Sequence, residues 1–131
     1  PRANWRPTSD TKLIHTLEDQ VRAGNKAGNG WKQATWVACA RALAGSENED
    51  GGAVKDANRC ASRWKTLKHD HGVVAKLLKL SGFGWNSGTH TVDATQSVWD
   101  DYIEKHPSAA SWRGKEFPHY EALDALIRDT V

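Results

Sequence analysis

The residues with the most distinctive chemistry lie between Lys55 and Lys79. Seven cationic side chains stand there against two carboxylates, so the stretch carries +5 and the remainder −3 of a chain whose total is +2. The cations are Lys55, Arg59, Arg63, Lys65, Lys68, Lys76 and Lys79. Such side chains bind phosphates by displacing counterions, and an asymmetric charge distribution indicates an anionic partner.

Short polar residues stand between these cations. Asn58 and Ser62 are four residues apart, so on a helix they share a face with Lys55. Asparagine pairs with adenine edges and arginine with guanine edges. We predict base contacts from Asn58, Arg59, Ser62 and Arg63, and phosphate contacts from Lys55, Lys65, Thr66, Lys68 and His69. This division depends on helix phase, because a slip of one residue reassigns several members.

Apolar periodicity predicts the elements that position these residues. Helices are expected over 8–23, 32–43 and from about 54 to 80, where Gly72 is a candidate kink. A fourth helix is capped by Thr91 or Asp93 and closed by Pro107, and a fifth covers 118–128. No alternation typical of strands is found, so the fold class is all-α. The acidic stretch 45–52 is expected to be a polar loop, the least ordered part of the domain.

Tryptophans supply much of the apolar material. Among the seven, Trp5, Trp36 and Trp64 are predicted to form the core with Leu13, Leu17, Cys60 and Leu67. Trp85, Trp99 and Trp112 are expected to pack the C-terminal helices. Trp112, flanked by Arg113 and Lys115, has an alternative interpretation as a contact to DNA or protein.

Three segments carry a family resemblance. Trp5, Asp10 and Leu13 resemble the W-x4-D-x2-L opening of a Myb repeat, Trp36 takes the place of its second tryptophan, and residues 59–64 (RCASRW) resemble its third-helix core. The gaps between these tryptophans are longer than in a typical repeat. Together with SGFGW at 81–85, VWD, YI and HP between 98 and 107, and FPHY at 117–120, this resembles the divergent Myb/SANT-like group of fungal and plant proteins, some linked to transposable elements.

The resemblance implies a three-helix Myb/helix-turn-helix bundle with about two additional C-terminal helices packed on it. Residues 1–80 would form the DNA-binding unit and 81–131 an extension within the same globular unit. It further implies a nuclear protein that binds specific sequences of double-stranded DNA with its third helix in the major groove. Its role would be transcription regulation or DNA targeting for a mobile element. The alternative is a SANT-type module that binds a protein such as a histone tail.

Two further expectations concern the ends of the chain. Arg2 and Arg6 flank Trp5 and are predicted to act as a minor-groove arm. The C-terminal helices are a second candidate surface, for a protein partner. A chain that opens at Pro1 and contains no methionine is expected to be a fragment of a longer protein.

Other function classes lack their motifs. The glycines at 82 and 84 do not have the spacing of a phosphate-binding loop, and no local signature joins serine, histidine and aspartate, so no enzyme is predicted. Cys39 and Cys60 stand far apart without histidine partners, which argues against a metal or cofactor and favours a reduced compartment. No apolar run is long enough to span a membrane, and no small-molecule substrate is indicated.

Overall fold

Helices dominate the computed structural model, which describes residues 1–28 and 30–128. The helices are α1 (Pro7–Arg22), α2 (Gln33–Ala42), α3 (Glu47–Asp50), α4 (Ala57–Leu78), α5 (Gln96–Lys105), a 3₁₀ helix (Pro107–Trp112) and α6 (Tyr120–Arg128). The strands are β1 (Lys26–Ala27), β2 (Gly30–Trp31), β3 (Gly84–Asn86) and β4 (Thr91–Asp93), which form two antiparallel hairpins. The mainly helical prediction is confirmed, whereas the expectation that the chain has no strands is wrong, because two short hairpins are present.

The hairpins escaped sequence prediction because their strands contain only two or three residues. Alternation needs at least four residues to be recognised. In the second hairpin Trp85 pairs with Val92, and the turn is held by the Asn86 side chain, whose Oδ1 accepts hydrogen bonds from the Gly88 and Thr89 amides at 2.9 and 3.1 Å. The predicted caps Thr91 and Asp93 therefore lie in β4, and Thr95 caps α5 instead by accepting from the Val98 amide.

The acidic stretch is also different from the prediction. Residues 47–50 form the short helix α3, and Asp50 is buried instead of solvated. The expected polar loop is therefore wrong. The physical reason is that Asp50 has an internal cationic partner, which a window of polar residues does not reveal.

Helix α4 begins three residues later than predicted and does not break. Asp56 precedes it and accepts a hydrogen bond from the Arg59 amide at 2.9 Å, as an N-terminal capping aspartate does. The helix is 22 residues long and passes through Gly72 without interruption. Lys55 consequently lies before the helix, and this changes which residues share the outward face.

The described chain clusters into two compact units, residues 1–68 with 122–128, and residues 69–121. The boundary falls within α4. The predicted division into 1–80 and 81–131 stays a prediction, because a cluster of contacts does not define a functional domain.

The core of the first unit is formed mainly by residues of α1, α2, α4 and α6. Its buried apolar residues are Leu13, Ile14, Leu17, Cys39, Leu43, Cys60, Trp64, Leu67, Leu123 and Leu126. Trp31 stands at the centre of the indoles, with ring centroids 5.7 Å from Trp64 and 6.2 Å from Trp36, both edge-to-face. Trp36 is half-buried, and Trp5 is not part of this trio.

The second unit has an aromatic core of its own. Trp99 packs edge-to-face on Phe83 at 4.9 Å, and Trp112 lies 5.4 Å from Phe117. Trp112 is 6% exposed, so its alternative interpretation as a surface contact is wrong. Within the part of the chain that the structure describes, no helix is both long and apolar enough to cross a membrane.

Leu17→Ala tests the core of the first unit. Leu17 is 0% exposed, so its truncation leaves a cavity, and we expect the free energy of unfolding to fall by about 2–5 kcal/mol. Val37→Ala is the matched control, since Val37 is 46% exposed and should cost no more than about 0.5 kcal/mol. Urea unfolding monitored by tryptophan fluorescence measures both. Equal losses in the two variants would contradict this core assignment.

Candidate nucleic-acid interface

A bidentate ion pair joins α1 to α4. Arg63 donates from Nε to Oδ1 of Asp10 at 2.8 Å and from Nη2 to Oδ2 at 2.7 Å, although the residues are 53 apart in sequence. The Asp10 side chain is 8% exposed and that of Arg63 25%. A guanidinium held at two points fixes the distance and orientation of the helices. Arg63 is therefore turned towards α1, which corrects its predicted position on the outward face.

Trp5 lies against two cations instead of in the apolar core. The Lys55 Nζ is 5.2 Å and the Arg63 Cζ 5.7 Å from its ring centroids. Cations within about 6 Å of an indole are attracted by the electron-rich ring face. Trp5 thus covers a polar cluster, and the core position predicted for it belongs to Trp31. The sequence signal for this was available, because Trp31 directly follows Gly30 and stands five residues before Trp36.

Lys55 is the fully buried member of this cluster of Trp5, Lys55 and Arg63. Its Nζ donates to Asp50 Oδ2 at 3.0 Å and to Ser46 Oγ at 2.9 Å, and its side chain is 0% exposed. The predicted phosphate contact from Lys55 is therefore wrong. The hydrogen bond from Lys55 lowers the pKa of Asp50, against the effect of burial, with further contributions from Ser9 and from Arg6, whose Nε lies 3.8 Å away.

Arg59 also has an internal partner. Its Nη1 donates to Asp56 Oδ2 at 2.8 Å, and its side chain remains 38% exposed. Three of the seven cations between Lys55 and Lys79 are thus in ion pairs, those of Lys55, Arg59 and Arg63. Within the described residues of the first unit, Lys65 and Lys68 are the cations of this stretch that form no ion pair.

The outward face of α4 in the first unit is formed by Asn58, Ser62 and Lys65. They are exposed and spaced four and three residues apart, which aligns them on one side of the helix. Thr66 and Lys68 are exposed on either side of this row. No carboxylate occurs in α4 from Ala57 to Lys68. His69 is exposed as well, but it belongs to the second unit.

The N-terminal segment is attached to the loop before α4. Ala3 forms an antiparallel bridge with Gly52, the Ala53 amide donates to the Arg2 carbonyl at 3.0 Å, and Asn4 Nδ2 donates to the Asp50 carbonyl at 3.2 Å. The side chains of Arg2 and Arg6 are exposed. Backbone pairing therefore holds in place a segment that the sequence suggested as an arm.

The two cysteines are structural. Cys39 and Cys60 are fully buried, and burial raises the pKa of Cys39 to about 12 and that of Cys60 to about 11. Protonated buried thiols are poor nucleophiles and metal ligands. Within residues 1–28 and 30–128 no group of three or more His, Cys, Asp or Glu side chains is placed to hold a metal ion.

Comparison with known proteins finds a family model and two plant relatives. The model of the Myb/SANT-like DNA-binding domain matches residues 4–102. An L10-interacting MYB domain-containing protein of Arabidopsis thaliana is 26% identical over 113 residues, which is 86% of this chain and 24% of that protein. A protein of the same plant described as uncharacterised is 27% identical over 100% of this chain and 42% of its own length. The chain therefore spans less than half of either relative. No solved structure matches it.

Arg63→Lys tests the link between α1 and α4. Lysine keeps the charge but not the two-point geometry, so we expect the free energy of unfolding to fall by about 1–3 kcal/mol. Arg22→Lys is the control, because Arg22 pairs with Asp19 where both side chains are largely exposed. Urea unfolding should show almost no change for the control. An Arg63→Lys protein as stable as the wild type would contradict a structural role for the pair.

Asp50 makes the stability of the first unit sensitive to acid. A carboxyl whose pKa is lower in the folded than in the unfolded state stabilises the fold above the unfolded-state pKa. That contribution is lost as the pH falls through the lowered folded-state pKa. Side-chain NMR titration should show the pKa of Asp50 below that of an ordinary aspartate, and it should rise in Lys55→Met but not in the exposed control Lys68→Met. An unchanged pKa in Lys55→Met would contradict the assignment of Lys55 as the main cause.

Proposed function

The chain belongs to the Myb/SANT-like DNA-binding domain family, a non-catalytic family, and from this premise we propose that it binds specific sequences of double-stranded DNA with α4 in the major groove. The observation that carries the proposal is the exposed row Asn58, Ser62 and Lys65, which no carboxylate interrupts. A helix in the major groove reads base edges through hydrogen-bonding side chains, and a face without carboxylates avoids repulsion by the flanking phosphates.

We assign base recognition to Asn58 and Ser62, the short polar residues of the exposed row. Asn58 presents an amide that can bond adenine at two points, and Ser62 presents a hydroxyl four residues along the same face. Arg59 stands beside them with Nη1 engaged by Asp56, so its contribution is secondary. Arg63 supports the helix through Asp10 and is no longer proposed as a base contact.

We assign phosphate contacts to Lys65 and to the residues beside the row, Thr66 and Lys68. Lys65 and Lys68 are exposed ammonium groups with no ion pair among the described residues, and Thr66 is an exposed hydroxyl. Each phosphate that a cation neutralises releases counterions and makes binding weaker at higher salt. Few unpaired cations predict modest affinity for one copy, as is usual for a single small module.

Two cellular roles are compatible with this proposed activity. A nuclear transcription regulator and the DNA-targeting part of a mobile-element protein both need such a module, and the surface described above serves either. DNA is the proposed partner in both cases.

Protein binding is the second candidate function. Because three cations of the basic stretch are held in internal ion pairs, the outer face of α4 is less basic than the sequence indicates. One relative is named for an interaction with L10, although this chain corresponds to 24% of that protein. An acceptor surface for a basic protein would use exposed carboxylates elsewhere on the chain, Asp101 among them.

Selection of bound sequences from a random duplex pool tests the DNA proposal. Wild-type protein should enrich a defined motif, and Asn58→Ala with Ser62→Ala should lose it while retaining its fold, since both residues are exposed. His15→Ala, at an exposed position of α1, is the matched control and should keep the motif. The arginine pair Arg59 and Arg63 is a poor choice for this test, because both make ion pairs within the fold.

Salt dependence separates the two candidate functions. We expect Lys65→Ala and Lys68→Ala each to reduce the slope of log affinity against log salt by about 0.9, and Lys12→Ala on α1 to leave it unchanged. No enrichment and no binding at low salt would contradict the DNA proposal and favour protein binding.

A further inference from the structure

We propose that the groove between the N-terminal segment and α4 is a preformed site for one phosphodiester of the DNA backbone, an inference that rests on the proposed function. The groove has a volume of about 420 Å³. Residues 1–3 and Trp5 line one side, and Arg59, Ser62, Arg63 and Thr66 of α4 line the other. It adjoins the row proposed to read bases, because Ser62 belongs to both.

Backbone pairing shapes the groove. The bridge between Ala3 and Gly52 places the segment beside α4, and it depends on the absence of a side chain at Gly52. A Cβ there would lie 2.5 Å from the Arg2 carbonyl oxygen and 2.9 Å from the Asn4 amide nitrogen. Gly52 also has φ +74°, which other residues adopt at a cost. The backbone position of Arg2 is therefore set by the fold.

The donors that face the groove fit an oxyanion. Arg2 carries a guanidinium with no ion pair among the described residues, and guanidinium groups bind phosphate oxygens at two points. Ser62 adds an exposed hydroxyl from α4. The Thr66 hydroxyl already donates to the Ser62 carbonyl at 3.3 Å, so its remaining capacity is as an acceptor.

The side-chain charge of the groove fits one phosphate. Arg59 is neutralised locally by Asp56, and Arg63 by Asp10. Among the side chains that line the groove, the uncompensated charge therefore comes from Arg2. That charge matches the single negative charge of one phosphodiester. The pair between Arg63 and Asp10 holds α4 against α1 and adds no net charge.

This site differs from the minor-groove arm that the sequence suggested. A minor-groove arm is a flexible extension that reaches around the duplex. A docked segment whose carbonyl and amide groups pair with the loop before α4 instead presents Arg2 on the same side of the fold as α4. The two arrangements respond differently to a substitution at Gly52. Such a substitution keeps every charge of the chain but displaces the N-terminal segment.

Four single-site variants of the 131-residue chain test the proposal, with fluorescence anisotropy on the duplex obtained by selection. Arg2→Ala should weaken binding roughly tenfold and reduce the salt slope by about 0.9. Gly52→Ala should weaken binding similarly. Gly24→Ala has nearly the same φ, +78°, and no atom within 4 Å of the added Cβ, so it controls for backbone strain and should bind like the wild type. Arg41→Ala removes an exposed cation of α2 and controls for net charge.

Methylphosphonate substitution locates the phosphate. Duplexes with one neutral linkage at a time are titrated with wild-type and Arg2→Ala protein. One position should weaken wild-type binding and have no further effect on Arg2→Ala. This coupling decides the proposal even if circular dichroism shows that Gly52→Ala does not fold.

The outcomes distinguish a failure of the phosphate site from a failure of the proposed DNA binding. Wild-type binding to DNA that Arg2→Ala leaves unchanged would overturn the phosphate site and leave DNA binding intact. Loss in Arg2→Ala with full binding by Gly52→Ala, and no coupled phosphate, would assign Arg2 to a flexible arm and also overturn the site. A wild-type chain that binds no duplex would overturn both proposals.

Discussion

The ion pair between Asp10 and Arg63 is the constraint on which the first unit depends. It joins the first turn of α1 to the second turn of α4 with two short hydrogen bonds at 2.8 and 2.7 Å. Trp5 lies over the same guanidinium and over the Lys55 ammonium, so the segment before α1 is held by the cations that also orient α4. A small apolar core gives little directional information, whereas a bidentate pair fixes the geometry of two helices.

The same pairing determines what the surface offers to a partner. The cations that are paired with Asp10, Asp50 and Asp56 are less available to phosphates than unpaired cations are. What remains outward on α4 is a row of neutral donors with lysines beside it. Such a surface has few unpaired charges and several hydrogen-bonding groups, which is why we propose sequence-specific recognition and not a general attraction to polyanions.

Sequence patterns identified the helices that form the site better than they identified its members. The periodicity of α1, α2 and α4 is clear because each buries one face over ten or more residues. The row Asn58, Ser62 and Lys65 follows from that periodicity. Lys55 did not, because a start for α4 assigned three residues too early placed it on the outward face, and no local pattern indicated that Asp50 would be its partner.

The sequence by itself determined the helical class, the outward position of the polar residues of α4 and the resemblance that the family match then established over residues 4–102. These properties depend on spacing within one segment. The tertiary structure decided the partners of Lys55 and Arg63, the central position of Trp31 and the attachment of the N-terminal segment at Gly52. Each of these is a contact between segments, and its energy depends on distance and burial in three dimensions, which spacing along the chain does not contain.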